Sequence, residues 1–208
     1  MLLFVNCNNS QKNKSSENSR IELVPEPDKA ERLKYEALQK LKNSGCNLKD
    51  PDTSVCGIKL RDFESAIRLI GQNDKIDSLD QYKYYSKLDR EILTLTQHPG
   101  DGKFQISIFK IKYSNKVDQG YRQLNIDTFK TEKGIKLGMN KKEILGLLGN
   151  CYAPIDSTKN YIEIYYRIIS PNDSKSKILE SNNMPIYYAS YKFWNDTLKE
   201  FEFGFEYP

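Results

Sequence analysis

Residues 57–71, GIKLRDFESAIRLIG, and residues 134–149, GIKLGMNKKEILGLLG, carry nearly the same message twice. After the shared GIKL the match resumes past a one-residue gap, pairing Leu69 with Leu147, Ile70 with Leu148 and Gly71 with Gly149. Identities at matching offsets point to duplication of one structural unit. Each copy also holds a complete helix signal. Asn140 can cap a first turn, Glu143 can reach back to it in a capping box, and Gly149 can take the left-handed conformation that ends the helix. Asp62 and Gly71 take the corresponding parts in the first copy. Between the caps, Phe63, Ala66, Ile67, Leu69 and Ile70, or Ile144, Leu145, Leu147 and Leu148, supply a face to bury. Each large side chain so buried contributes roughly 1.5–3 kcal/mol. These residues are read as core.

Working outward, similar runs follow each helix. QYKYY and EILTLTQ precede the turn HPGDG and the run KFQISIFKIKY, a hairpin signal. In the second half NYIEIYYRII, a polar loop, IYYASYKFW, a short NDT turn and LKEFEFGFEY succeed one another. The last run places Phe201, Phe203, Phe205 and Tyr207 on one face and Glu200, Glu202 and Glu206 on the other, so one face is buried and the other wet. The 14 Tyr and 9 Phe of the chain fit such half-buried strands. Upstream, DKAERLKYEALQKLKNSG sets Ala30, Leu33, Ala37, Leu38 and Leu41 on one helical stripe ending at Gly45, and it is expected to pack on the first unit. The predicted fold is α+β: two tandem helix-plus-antiparallel-sheet units preceded by an amphipathic helix. Residues 25–127 hold that helix and the first unit, and residues 128–208 the second.

The phrase KGIKLGMNKKEILGLLG resembles the helix element of small bacterial outer-membrane lipoproteins of the BamE (SmpA/OmlA) type. Tandem copies of helix plus antiparallel sheet are similar to the β-lactamase inhibitor protein fold. The resemblance implies a cell-envelope location and action by binding proteins rather than by catalysis.

The start of the chain agrees with that address. MLLFVNCNNSQKNKSSENSR passes from an apolar pentapeptide to Cys7 and then to an Asn/Ser/Lys tract too polar to pack. Leu3 to Cys7 resembles the lipid-attachment site of bacterial lipoproteins, which makes Cys7 the expected anchor and residues 1–24 a leader remnant and flexible linker. Contact with the membrane is expected only through that lipid, and the protein is otherwise secreted. Among the remaining cysteines, Cys46 and Cys56 enclose the turn-rich segment NLKDPDTSV, and a bridge between them would remove about 2.7 kcal/mol of unfolded-state entropy. That pairing is expected, in an oxidising compartment. Cys151 is read as a small buried side chain, and a Cys56 to Cys151 bridge is the alternative.

Charge and motifs limit the function. The net charge of +4 is spread without a basic block, so no nucleic-acid partner is expected. No HExxH, P-loop, GxSxG or strand-linked GxGxxG occurs. His98, beside Pro99, is read as a solvated turn residue. No cofactor or metal is expected, and a carboxylate-dependent hydrolase is the least favoured class. If Ile162, Ile164, Tyr166 and Ile168 face the helices, then Tyr161, Tyr165 and Arg167 face away, joined by Trp194. Tyr, Trp and Arg dominate binding hot spots, although tyrosines packed across strands give the same pattern. The expected role is a non-catalytic protein-binding or scaffold module for an envelope or secreted partner; the alternative is an inhibitor or immunity protein against a secreted enzyme.

Overall fold

The two GIKL copies adopt the same local conformation. A computed structural model describes residues 29–44, 46, 48, 50–88, 90–114, 121–169 and 177–207; Cys7, the 1–24 segment and Gly45 lie outside them. Gly57 and Gly134 both have positive φ, +88° and +81°. Ile58 and Leu60, and likewise Ile135 and Leu137, are buried while Lys59 and Lys136 face solvent. Four residues on from each glycine, Arg61 and Gly138 again have positive φ and donate their backbone N–H groups to Ile106 and Leu198 respectively. The one-residue gap is therefore Met139, inserted between that turn and the helix cap. The expected GIKL strand forms only in the first copy, where β1 (Ser54–Val55) pairs with β2 (Ile58–Lys59). In the second, residues 134–137 are extended or turning without a ladder partner.

Both caps form. Asp62 accepts from Ser65 N at the start of α2 (Phe63–Ile70), and Asn140 and Glu143 complete a reciprocal capping box at the start of α3 (Lys141–Leu148). The apolar face is narrower than the sequence suggested. Ala66, Ile70, Ile144 and Leu148 are buried, whereas Phe63 and Leu147 lie on the solvent side, because two turns of helix turn only part of their circumference towards a sheet.

Eight strands then form one continuous sheet. In chain order they are β3 (Gln81–Tyr85), β4 (Glu91–Thr96), β5 (Ile108–Tyr113), β6 (Arg122–Gln123), β7 (Ala153–Ser157), β8 (Tyr161–Ile168), β9 (Tyr187–Trp194) and β10 (Thr197–Phe205). Their spatial order is β6-β3-β4-β5-β10-β9-β8-β7. Every pairing is antiparallel except the short β3–β6 contact. Each half is thus a helix followed by an antiparallel meander, of three strands (β3–β5) in the first and four (β7–β10) in the second, and the last strands of the two meanders pair at the centre, with Phe203 opposite Phe109 and Phe201 opposite Ile111. At that seam Gly204 is required. Its φ is +152°, and a Cβ there would lie 2.2 Å from the Ser107 carbonyl oxygen. The β9–β10 turn is equally specific, because Asn195 and Asp196 both take positive φ, as a two-residue hairpin demands.

The inner sheet face carries Leu95, Phe109, Ile111, Ile164, Tyr166, Tyr191, Phe201 and Phe203, which form one buried cluster with α2, α3 and a five-residue helix, α4 (Ile178–Asn182). Helices α2, α3 and α4 therefore cover this one face. The polar loop expected between β8 and β9 contains α4, whose Ile178 and Leu179 reach the core.

The first helix, α1 (Lys29–Asn43), corrects an expectation. It packs against β7 in the second half, not on the first unit, with Leu33, Ala37 and Leu41 lining a groove shared with Tyr152, Ala153 and Ile155. A covalent bond holds it there: the disulfide joins Cys46 to Cys151, Cα atoms 5.2 Å apart, across 105 residues. The expected Cys46–Cys56 pair does not form. Cys56 sits at the tight β1–β2 turn with φ +49°, which directs its thiol to the Lys130 backbone and leaves it free.

Candidate binding surface

The sheet has a second face. Strand alternation puts Tyr161, Glu163, Tyr165 and Arg167 of β8 outward, opposite Trp194, Lys192, Ser190 and Tyr188 of β9. Glu200 and Glu202 of β10 and Lys110 of β5 continue the same surface. The four residues singled out from the sequence do share this face, but the structure divides their roles.

Tyr165 is only 4% exposed. Its ring stacks on Tyr188 at 5.8 Å, Lys34 of α1 sits 4.8 Å above it, and its hydroxyl donates to Glu206. Arg167 donates to the same Glu206 at 2.6 Å. These two are support rather than contact surface. Trp194, 41% exposed, and the half-buried Tyr161 form the accessible pair, rings 4.6 Å apart, at the end of the sheet where the Asn195–Asp196 turn lies.

Between them runs a polar network the sequence reading did not assemble. The Tyr161 and Ser190 hydroxyls both donate to Glu163, Tyr188 donates to Glu202 at 2.6 Å, and Lys192 and Lys110 both reach Glu200. Lys110 also lies 3.3 Å from Glu202. Burial alone would raise the Glu200 carboxyl, but hydrogen bonds from Lys192 and Lys110 outweigh it and hold the group below the usual range. Burial would likewise lower Lys110, yet Glu202 and Glu200 raise it. Burial and the neighbouring carboxylates push the Tyr165 and Tyr188 phenols up, so both stay neutral donors. Every glutamate named here is thus fixed by at least one internal donor, and the face is preorganised. The signal that could have found Tyr188, Ser190 and Lys192 was their even spacing from Trp194.

A groove of about 700 Å³ runs over this network beneath α1, lined among others by Lys34, Leu38, Tyr165, Tyr188, Arg167 and Glu202. No family model, curated protein or solved structure matches this chain. The BamE-type and inhibitor-type likenesses therefore rest on the sequence pattern alone.

His98 and the polar groups around it form a structural cluster. His98 is not a solvated turn residue: it is 7% exposed, its Nε2 lies 3.0 Å from the Phe205 carbonyl oxygen, and burial pushes its imidazole down. Its backbone N–H is held by Asp101, which also pairs with Arg61 and accepts from the Ser107 hydroxyl. This cluster fixes the β4–β5 connection to the end of β10. Among the described residues no group of three or more His, Cys, Asp and Glu side chains could hold a metal ion, and no helix is long and apolar enough to cross a membrane.

Proposed function

We propose that the chain is a non-catalytic envelope module, anchored by a lipid on Cys7, whose two related helix-plus-sheet units of the BamE/β-lactamase-inhibitor type present the outer sheet face to another protein. The observation that carries this reading is the preorganised outer face, against which α1 lies at β7 and over Tyr165 of β8, with the Tyr161–Trp194 pair accessible at its end. A surface whose side chains are already fixed by internal partners loses little entropy on binding, and exposed Trp and Tyr are favoured anchors. The Cys46–Cys151 bridge suits an oxidising, extracytoplasmic compartment. The same rigidity supports a second reading, an inhibitor or immunity protein that docks this face on a secreted enzyme.

The test compares wild type with the Tyr161→Ala/Trp194→Ala double variant as baits in a membrane extract of the native cell. Specific partners should be retained by wild type and lost by the variant. Identical retention by both would sink the assignment of this face. Intact-mass analysis of membrane-extracted protein tests the anchor separately, since an unlipidated product removes it.

A further inference from the structure

Asp52 is 1% exposed. Its Oδ1 has no hydrogen-bond partner among the described residues, and its Oδ2 receives a long bond, 3.4 Å, from the Tyr191 hydroxyl. A carboxylate withdrawn from water ordinarily collects two or three donors. Here the residue is pinned through its backbone instead, with the Tyr187 hydroxyl donating to its carbonyl oxygen at 2.8 Å.

The segment around it is a clasp between the two halves. Lys133 pairs with Asp50. The Glu132 carboxylate accepts from the backbone N–H and the hydroxyl of both Thr53 and Ser54. Val55 bridges to Thr131, and the Cys56 N–H donates to the Lys130 carbonyl at 3.0 Å. Residues 50–56, which lead into the first GIKL, are thereby laid along residues 130–133, which lead into the second.

We infer that this clasp is a proton-operated latch, closed when Asp52 is the neutral acid and opened when Asp52 is a buried carboxylate beside Glu132. The groups facing Asp52 offer a carboxylate little compensation. Asp50 on its own segment is occupied by Lys133, Glu132 is a like charge committed to Thr53 and Ser54, Thr131 offers one neutral hydroxyl, and β9 contributes the neutral phenols Tyr187 and Tyr191. Burial pushes both phenols well above their usual range, so they do not ionise in step with the latch. For Asp52 itself, burial and then Glu132 push the carboxyl from 3.8 up to about 7, against smaller opposing effects of Thr131, Lys133 and Tyr191. Because the closed form binds the proton more tightly, closure is fully favoured below about pH 4 and weakens as pH rises through about 7.

The test follows the Asp52 carboxyl carbon by NMR in the intact chain, together with exchange of the Thr53, Ser54 and Cys56 amides, referenced to β4 amides to remove base catalysis. Asp52 should titrate near pH 7, and clasp opening should grow by up to about tenfold per pH unit between its ordinary and raised pKa. In Asp52→Asn the referenced exchange should be flat. Should that variant fail to fold, the wild-type titration and referenced exchange decide alone. An Asp52 midpoint near 4, or clasp amides that follow the β4 amides at every pH, overturns the latch.

Discussion

Replacing both Cys46 and Cys151 by serine should cost about 4.7 kcal/mol of unfolding free energy. The bridge spans 105 residues, and for a loop of that length the chain-closure relation gives about 4.7 kcal/mol at 25 °C, against about 2.7 for the ten-residue Cys46–Cys56 loop that the spacing first suggested. The denatured state also expands when a crosslink over half the chain is lost, so the urea m-value should rise. Cys56→Ser, which removes only a half-buried thiol whose sulfur meets the Lys130 backbone, should cost under about 1 kcal/mol. The assay is equilibrium urea unfolding of wild type with and without reductant, of the double serine variant and of Cys56→Ser, alongside peptide mapping of non-reduced protein. Reduction of wild type should reproduce the double variant. The reasoning fails if mapping places Cys56 in the bridge, or if an intact Cys46–Cys151 bridge is lost for less than about 2 kcal/mol.

Other outcomes are more local. Gly204→Ala drives a Cβ into the Ser107 carbonyl, and calorimetry should show a loss of about 2–3 kcal/mol; a neutral substitution would mean that β5 and β10 do not approach as described. Asn140→Ala removes one half of the capping box and should lower stability by about 1 kcal/mol, with the loss partly restored by Asn140→Ser. Trp194→Ala should leave the melting temperature within a few degrees, since the residue is 41% exposed and lies at the end of the sheet outside the core, while abolishing partner retention. His98→Phe should destabilise the chain by leaving the Phe205 carbonyl without its ring partner, by about 1–2 kcal/mol in urea.

What could be read in the sequence was local. Caps at Asp62, Asn140 and Glu143, the glycine stops, and the alternation of Phe201, Phe203 and their glutamates depend on neighbours within a few residues, and each formed. What could not be read was decided across the chain. Whether β5 meets β10 depends on a close approach at Gly204 that has no periodic signature. Cys46 met Cys151 because α1 reaches the β7 edge, which loop length alone does not reveal. The β7 strand contains Pro154, which an edge position tolerates but which breaks the run of strand formers that would announce it. His98 looked like a turn residue beside Pro99, yet the end of β10 needed a partner for its carbonyl. On the outer face the alternation of β8 was legible, but Tyr165 was buried by a helix from a distant part of the sequence.

The central β5–β10 pairing bears on how the chain is made. β3, β4 and β5 can assemble early as a local meander, but the free edge of β5 waits for residues 197–205, the last strand in chain order among the described residues. During that interval Ile108, Phe109 and Ile111 present an unpaired, apolar edge of the kind that templates association between chains. A nascent or truncated chain ending before Thr197 therefore carries two such edges, one on β5 and one on β9, and should aggregate where the longer chain does not. The seam that joins the halves in the finished molecule is, until β10 docks, the place most in need of protection.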